Sequence, residues 1–166
     1  MKHILPILTI TTLAAAASAQ SAASSGLSYN RVGIHYLRSN GSDAWAVSAA
    51  AMIGSSNFRV SGSTYIGGDA GNGGDQVALG YVFKNVLAGA DAELSVGSNE
   101  VYGLNFRKDV GNNIEVGAGY VRASGSNLWD VELAYNVSKQ VQLAVGYQDG
   151  ADLVDGITRF TVRYNF

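Results

Sequence analysis

A two-residue repeat runs through most of this chain and constrains its fold more than any other feature. Large apolar or aromatic side chains alternate with small, polar or charged ones in ten segments, and successive side chains of a β-strand point to opposite faces. The repeat therefore predicts strands with two unlike faces. The predicted strands are Leu27–Arg38, Ala44–Ile53, Phe58–Ile66, Gln76–Phe83, Ala90–Val96, Glu100–Arg107, Asn113–Arg122, Leu128–Val137, Val141–Gln148 and Ile157–Phe166.

Turn-forming residues separate these segments. Asn40-Gly41, Gly111-Asn112 and Asp149-Gly150 are examples, and the 21 glycines argue against a helical bundle. Many of the segments exceed the usual five or six residues of a soluble strand and match the ~9–11 residues of a tilted membrane strand. The pattern favours antiparallel hairpins that follow one another along the chain.

Residues 1–19 have the layout of a secretory signal peptide, with Lys2 before an apolar run that ends at Ala17-Ser18-Ala19. The run is shorter than the ~20 residues that cross a bilayer as a helix. The alternative is a buried N-terminal helix, which Pro6 suits poorly. We expect cleavage before Gln20, so that residues 20–166 form the mature domain. This domain is then either soluble after export or crosses a membrane with its strands.

The two faces of the predicted strands differ in charge. One row in each strand carries no charged residue, as in Trp129, Val131, Leu133 and Tyr135. The opposite row carries five positive and five negative side chains. These are Arg31, Arg59, Asp91, Glu93, Arg107, Glu115, Asp130, Glu132, Arg159 and Arg163.

The charged row also contains small residues, such as Gly80, Gly117 and Gly146, whereas the bulky aromatics belong to the uncharged row. Crowding inside a narrow barrel favours small residues there, with paired charges beside them. Aromatic residues also collect near both ends of the strands, as they do at the two interfaces of a membrane barrel. A sheet in lipid has to close on itself. We therefore predict an all-β, up-and-down antiparallel transmembrane barrel of about ten strands, with eight as the alternative.

The two ends of this barrel carry opposite charge. Lys84, Lys108 and Lys139 share an end with Phe166, which we name the lysine end and assign to the periplasm. The other end, named the acidic end, is assigned to the cell exterior. Its acidic residues are Asp43, Asp69, Asp75, Glu100, Asp149, Asp152 and Asp155.

The last strand alternates apolar and aromatic residues at Phe160, Val162, Tyr164 and Phe166. It resembles the terminal strand signal of Gram-negative outer-membrane β-barrels. Together with the signal peptide, the opening strand from Tyr29 to Tyr36 and the turns that carry lysine, it makes residues 20–166 similar to the small single-chain, porin-type members of that group.

This resemblance implies localisation in the cell outer membrane and insertion by the barrel-assembly machinery, which would read Phe160, Val162, Tyr164 and Phe166. We also expect contact with outer-membrane lipid and lipopolysaccharide, and a monomer. The connections are short, which argues against an adhesin with long loops.

Few residues suggest chemistry. His35 is the only histidine after residue 19, and it is interpreted as a lumenal hydrogen-bonding residue rather than the base of a lipid hydrolase. The carboxylate pairs Asp91/Glu93 and Asp130/Glu132 suit acid–base chemistry, but five arginines on the same face favour ion pairing. The absence of cysteine excludes thiolate sites, and a net charge of −2 argues against a nucleic-acid partner. We expect no catalytic, cofactor or metal site.

Two acidic stretches could contact cations. The glycine-rich stretch from Gly67 to Asp75 resembles one imperfect copy of a calcium-binding turn and is interpreted as an outer loop. Asp149, Asp152 and Asp155 have a spacing of three, which differs from an EF-hand loop. An acidic rim that shares divalent cations with lipopolysaccharide phosphates stays a hypothesis.

The sequence thus predicts an integral outer-membrane barrel that is not an enzyme, with a structural or surface-interaction role and a charge-paired, plugged lumen. Three alternatives stay open at this point. They are a small passive pore for ions or solutes, a lipid-modifying outer-membrane enzyme, and a soluble periplasmic barrel that binds a ligand.

Overall fold

The computed structural model describes residues 26–69, 75–123, 125–150 and 156–166. The predicted signal peptide, the middle of the glycine-rich stretch, Asp152 and Asp155 lie outside these residues. Ten strands make up the fold. They are β1 (Arg31–Ser39), β2 (Ser42–Met52), β3 (Phe58–Gly68), β4 (Gln76–Leu87), β5 (Ala90–Gly97), β6 (Val101–Gly111), β7 (Ile114–Ala123), β8 (Ser126–Asn136), β9 (Val141–Gly150) and β10 (Ile157–Asn165).

The strands form a single closed barrel in which each strand pairs antiparallel with its neighbour in sequence. Closure comes from β1 and β10, which pair from Arg31 opposite Asn165 to Arg38 opposite Thr158. The predicted up-and-down barrel is confirmed, with ten strands rather than eight. Within the described ranges, no helix is long and apolar enough to cross a membrane.

Tight turns join consecutive strands, so that each strand pairs with the next one along the chain. The loop between β1 and β2 is Asn40-Gly41, with φ of 38° and 86°, and Asn112-Asn113 between β6 and β7 also has two positive φ angles. Two-residue hairpin loops of type I′ need positive φ at both positions, and asparagine and glycine tolerate it best. Because consecutive strands run antiparallel, successive connections alternate between the two ends of the barrel.

The first strand is shorter than predicted. It begins at Arg31 and not at Leu27, because β10 ends at Asn165, opposite Arg31, and leaves the preceding residues without a strand on that side. The prediction that residues 27–30 extend this strand is therefore wrong. At the other extreme, β4 continues to Leu87, past the predicted end at Phe83, through a register irregularity opposite β5.

Alternation along the strands places the two rows as predicted. In β8, Trp129, Val131 and Leu133 are about half exposed while Ala134 is buried. The buried polar set contains Arg59, Glu93, Glu115 and Arg163. A soluble protein buries its apolar residues and exposes its charges, so this surface is inverted. An apolar exterior on a closed barrel suits lipid and argues against the soluble-barrel alternative.

Aromatic side chains pack together at both ends of the exterior. At the acidic end, the rings of Tyr36 and Trp45 lie 5.1 Å apart. At the lysine end, Tyr81 lies 5.0 Å from Phe58 and 4.8 Å from Phe83. These clusters border the apolar belt as the aromatic girdles of membrane barrels do.

Candidate functional site: the lumenal charge network

The ten charged residues predicted to face the lumen all lie on the inward row of their strands. Asp91 and Glu115 are almost fully buried, at 1% and 3% exposure. The other residues are buried or half-buried. We refer to this set of ten, together with the bridging Gln142, as the lumenal network.

Arg59 and Glu93 form a close pair across β4, the strand between them. Arg59 Nη1 donates to both carboxylate oxygens of Glu93, at 2.8 and 2.9 Å. Gly80 of β4 lies opposite Arg59 in the sheet. A Cβ at Gly80 would lie 3.1 Å from both Cγ and Cδ of Glu93, and closer still to a carboxylate oxygen. The glycine therefore leaves the room in which the pair forms.

Glu132 of β8 holds two arginines of β10 across β9. Arg163 donates to both of its carboxylate oxygens at 2.6 Å, and Arg159 Nη2 donates at 3.0 Å. The strand between them again supplies a glycine, Gly146, opposite both Glu132 and Arg159. Asp130 lies 3.9 Å from Arg159 at the edge of this group.

A hydrogen-bonded chain joins this group to the next. Arg107 Nε donates to Glu115 at 2.6 Å, and Gln142 Nε2 donates to the second oxygen of Glu115 at 3.0 Å. The side-chain amide oxygen Oε1 of Gln142 accepts a hydrogen bond from Arg163 Nη1 at 3.0 Å. The sequence places Gln142 on the inward row but does not reveal this bridge, because the bridge depends on which strands close the barrel.

Residues 26–30 enter the lumen instead of joining the sheet, and we name them the crossing segment. Leu27 and Tyr29 are 2% and 4% exposed. Both Nη1 and Nη2 of Arg107 donate to the Ser28 carbonyl at 3.1 Å. The Tyr29 hydroxyl donates to Asp91 at 2.5 Å. The segment is therefore fastened to lumenal network residues through its backbone and its side chains.

The path of the crossing segment spans the barrel. It leaves β1 at Arg31 and reaches Arg107 of β6, and in a closed ring of ten strands these two strands are five apart in either direction. Gly26 lies against Asp109, also of β6. Five residues reach at most about 17 Å when they are fully extended.

An apolar cluster supports the crossing segment from the wall. Val82 of β4 is fully buried against Leu27 and Tyr29, with Met52 beside them. The Arg107 guanidinium lies 5.0 Å from the centre of the Tyr29 ring. Burial, and then the hydrogen bond to Asp91, raise the pKa of Tyr29 and keep it protonated as a donor. Val82 and Met52, apolar residues on the inward row, are the sequence signal that could have indicated the segment.

The lysine end of the barrel contains an open vestibule of about 1130 Å³. Leu27, Tyr29 and Asn30 of the crossing segment line it, together with Glu115 and Gln142 of the lumenal network. Since these residues are also buried among one another, they form the bottom of the vestibule.

His35 lies on the inward row, as predicted, with a hydroxyl group on each side. Its Nδ1 is 2.9 Å from Thr161 Oγ1 and its Nε2 is 2.7 Å from Ser48 Oγ. A nucleophilic serine would need a third group, usually a carboxylate, to orient the histidine, and here Thr161 occupies that position. Both ring nitrogens of His35 therefore have hydrogen-bond partners, and the side chain faces the lumen and not the lipid.

The acidic end shows no metal cluster among the residues that the structure describes. Asp75 accepts a hydrogen bond from the Thr64 hydroxyl at 2.6 Å, and Asp149 accepts one from the Gly150 backbone at 2.7 Å. These acids take part in local turn contacts.

Comparison with known proteins supports the fold. No protein-family model matches this sequence, and no curated protein matches it significantly. Among solved structures, the KdgM porin has a TM-score of 0.53 at 13% identity, with 82% of this chain and 99% of that chain covered. The Acinetobacter baumannii outer membrane protein Omp33 has a TM-score of 0.43 at 13% identity, covering 85% and 100%. Ail of Yersinia pestis in a phospholipid bilayer nanodisc has a TM-score of 0.42 at 13% identity, with 84% of this chain and 100% of that chain covered.

The first of these similarities, the closed ten-strand barrel and the apolar exterior agree with one another. The predicted resemblance is confirmed at the level of the fold. This chain has the fold of the small outer-membrane β-barrels, and an exterior suited to that membrane.

Proposed function

We propose that this protein is an integral outer-membrane barrel with a structural or surface-interaction role and a closed lumen. The crossing segment carries this proposal, since it spans the barrel and is fastened to β5 and β6. An open channel would require these contacts to break. Each of these is a hydrogen bond to a charged group, and such a bond contributes about 1.5–3 kcal/mol.

The width of the barrel supports the same proposal. Eight strands leave an interior that side chains fill, and the aqueous porins have 16–18 strands. Ten strands lie near the lower limit, and here the interior also holds five arginines and five carboxylates.

A small passive pore is the second candidate, and the vestibule favours it. The space of about 1130 Å³ at the lysine end would admit water and small solutes as far as the crossing segment. Permeation would then require a path between the segment and the wall, or movement of the segment.

A lipid-modifying activity has less support. It would need reactive groups on the lipid-facing surface, whereas His35 and its hydroxyl partners lie on the inward row. We propose that the protein is not an enzyme.

The remaining parts of the proposal concern assembly, partners, orientation and export. Phe160, Val162 and Tyr164 of β10 are each about half exposed on the exterior, where the assembly machinery could read them together with Phe166. We propose a monomer that contacts outer-membrane lipid and lipopolysaccharide, with the lysine end in the periplasm. Residues 1–19 would direct export and then be cleaved off.

Two measurements test the closed-barrel proposal. The full-length protein should fractionate with the outer membrane and migrate differently on gels before and after heating. In planar bilayers the refolded protein should show no steady conductance. A double variant, Leu27→Ala with Tyr29→Ala, should conduct, because it removes the apolar anchor and the bond to Asp91.

Ile34→Ala is the matched control, because Ile34 lies on the exterior of β1 and does not contact the segment. It should stay closed like the wild-type protein. Steady conductance of the wild-type protein would overturn the closed-lumen role and establish the passive pore. Activity on lipopolysaccharide or phospholipid that disappears in His35→Ala would overturn the assignment as a non-enzyme.

A further inference from the structure

One guanidinium of the lumenal network has no carboxylate of its own. The structure gives Arg31 no ion pair within 4.0 Å in the described part of the chain, unlike the other four lumenal arginines. Its Nη1 is buried and has no hydrogen-bond partner there. Buried charges are normally paired, since an unpaired one loses its hydration without compensation. The site therefore lacks a group that the described residues do not supply.

The lumenal carboxylates do not supply that group, because none of them forms an ion pair with Arg31 within 4.0 Å and each contacts other residues instead. Glu93 accepts from Arg59, Glu115 from Arg107 and Gln142, Glu132 from Arg159 and Arg163, and Asp91 from Tyr29 and the Asn85 backbone, while Asp130 lies beside Arg159. Arg163 is the next inward residue of β10 beside Asn165, and together with Arg107 and Arg59 it places positive charge near Arg31, against the negative charge of Glu132. Positive charge is thus in local excess around Arg31.

A water molecule would satisfy the hydrogen bond of Nη1 but would leave this excess charge in place. An anion satisfies both, and electrostatic attraction is stronger inside a protein than in water. The inward residues opposite Arg31 are Ala50 and Asn165, so no acidic side chain faces it from the paired strands. Asn165 also lines the vestibule, which provides a route from the solvent.

We propose that a small monovalent anion, such as chloride, binds in the lumen at Arg31 Nη1 and completes the lumenal network. This site goes beyond the proposed function and does not depend on whether the barrel conducts.

Crystals of the wild-type protein soaked in sodium bromide provide the direct test. Bromide replaces chloride and scatters anomalously, so a peak is expected within hydrogen-bonding distance of Arg31 Nη1. Well-ordered density there without an anomalous signal would show a water molecule and overturn the proposal.

Unfolding of the refolded protein in detergent tests the site in solution. Chloride is compared with gluconate, a much bulkier anion, at equal ionic strength so that screening of the other ion pairs is unchanged. A ligand that binds only the folded state at 100 times its Kd raises the folding equilibrium constant about 100-fold. We expect such a chloride-dependent rise in the wild-type protein and its loss in Arg31→Gln.

Arg122→Gln is the matched control, since Arg122 is exposed at the acidic end of β7 and should keep the full chloride effect. If Arg31→Gln does not refold, Arg31→Lys replaces it, because lysine keeps the charge but lacks the guanidinium geometry, and its chloride effect should be weaker. Equal stabilisation by chloride and gluconate in the wild-type protein, or an unchanged chloride effect without Arg31, would contradict the proposal.

Discussion

The pair formed by Arg59 and Glu93 allows the energetic role of the lumenal network to be measured. Both side chains are about nine-tenths buried, at 9% and 10% exposure, and they share two contacts below 3 Å. In Arg59→Met, Glu93 keeps its charge but loses its partner. Removing one member of a buried pair costs about 3–5 kcal/mol. The Arg59 bond to the Tyr29 carbonyl, at 3.4 Å, is too long to add much to this loss.

Urea unfolding of the refolded protein in detergent, followed by the fluorescence of Trp45 and Trp129, would measure this loss. With a slope of about 2 kcal/mol per molar urea, the midpoint should fall by about 1.5–2.5 M. The double variant Arg59→Met with Glu93→Gln should recover part of the loss, because it leaves no buried charge without a partner. Arg122→Met is the matched control and should change stability by less than about 0.5 kcal/mol.

Two results would refute this reasoning. A loss below about 1 kcal/mol in Arg59→Met would mean that water reaches Glu93 and that the lumen is not closed at this level. A double variant whose loss equals the sum of the two single losses would mean that the residues do not interact energetically.

Three further predictions address the wall. Leu133→Arg places a charge on the lipid face near the middle of β8 and should lower the free energy of unfolding in lipid vesicles by about 2–4 kcal/mol. Leu133→Ala should lower it clearly less, and equal losses would contradict the face assignment. Gly80→Val should lower the unfolding midpoint because its side chain collides with Glu93, while Gly67→Val, whose Cβ meets open space, should not; a tolerated Gly80→Val would remove the argument for room at this position. A spin label at Val131 should contact lipid-soluble relaxing agents and one at Glu132 should not, and the reverse pattern would mean that the barrel faces are exchanged.

The inverted surface explains why single charges matter so much in this fold. Lipid cannot hydrogen-bond to a strand edge or solvate a charge, so closure and an uncharged exterior are requirements of the environment. The lumen then has to accommodate every charged residue of the wall. Glycines such as Gly80 and Gly146 provide the space, which links the small residues of the inward row to the ion pairs that cross over them.

Much of the fold is predictable because it depends on patterns among residues that are close in the sequence. Alternation with a period of two assigns each residue of a strand to one face or the other, and tight turns such as Asn40-Gly41 mark where the chain reverses. The apolar exterior and the inward position of the ten charged residues follow from these local patterns, whereas they predict the strand count only as about ten, with eight as the alternative. The position of His35 between two hydroxyls agrees with its predicted lumenal role.

Pairing partners are not predictable in the same way, because they depend on register and on which strands flank each other after closure. Arg59 reaches Glu93 over Gly80, and Gln142 bridges two groups from β9. The pattern of alternation in Leu27 and Tyr29 is that of a strand, yet they leave the sheet, because no strand pairs with them beyond Asn165. Local periodicity thus sets the two faces of the wall, while the closed tertiary structure decides which charges meet inside it, which segment crosses it and why Arg31 has no ion-pair partner among the residues that the structure describes.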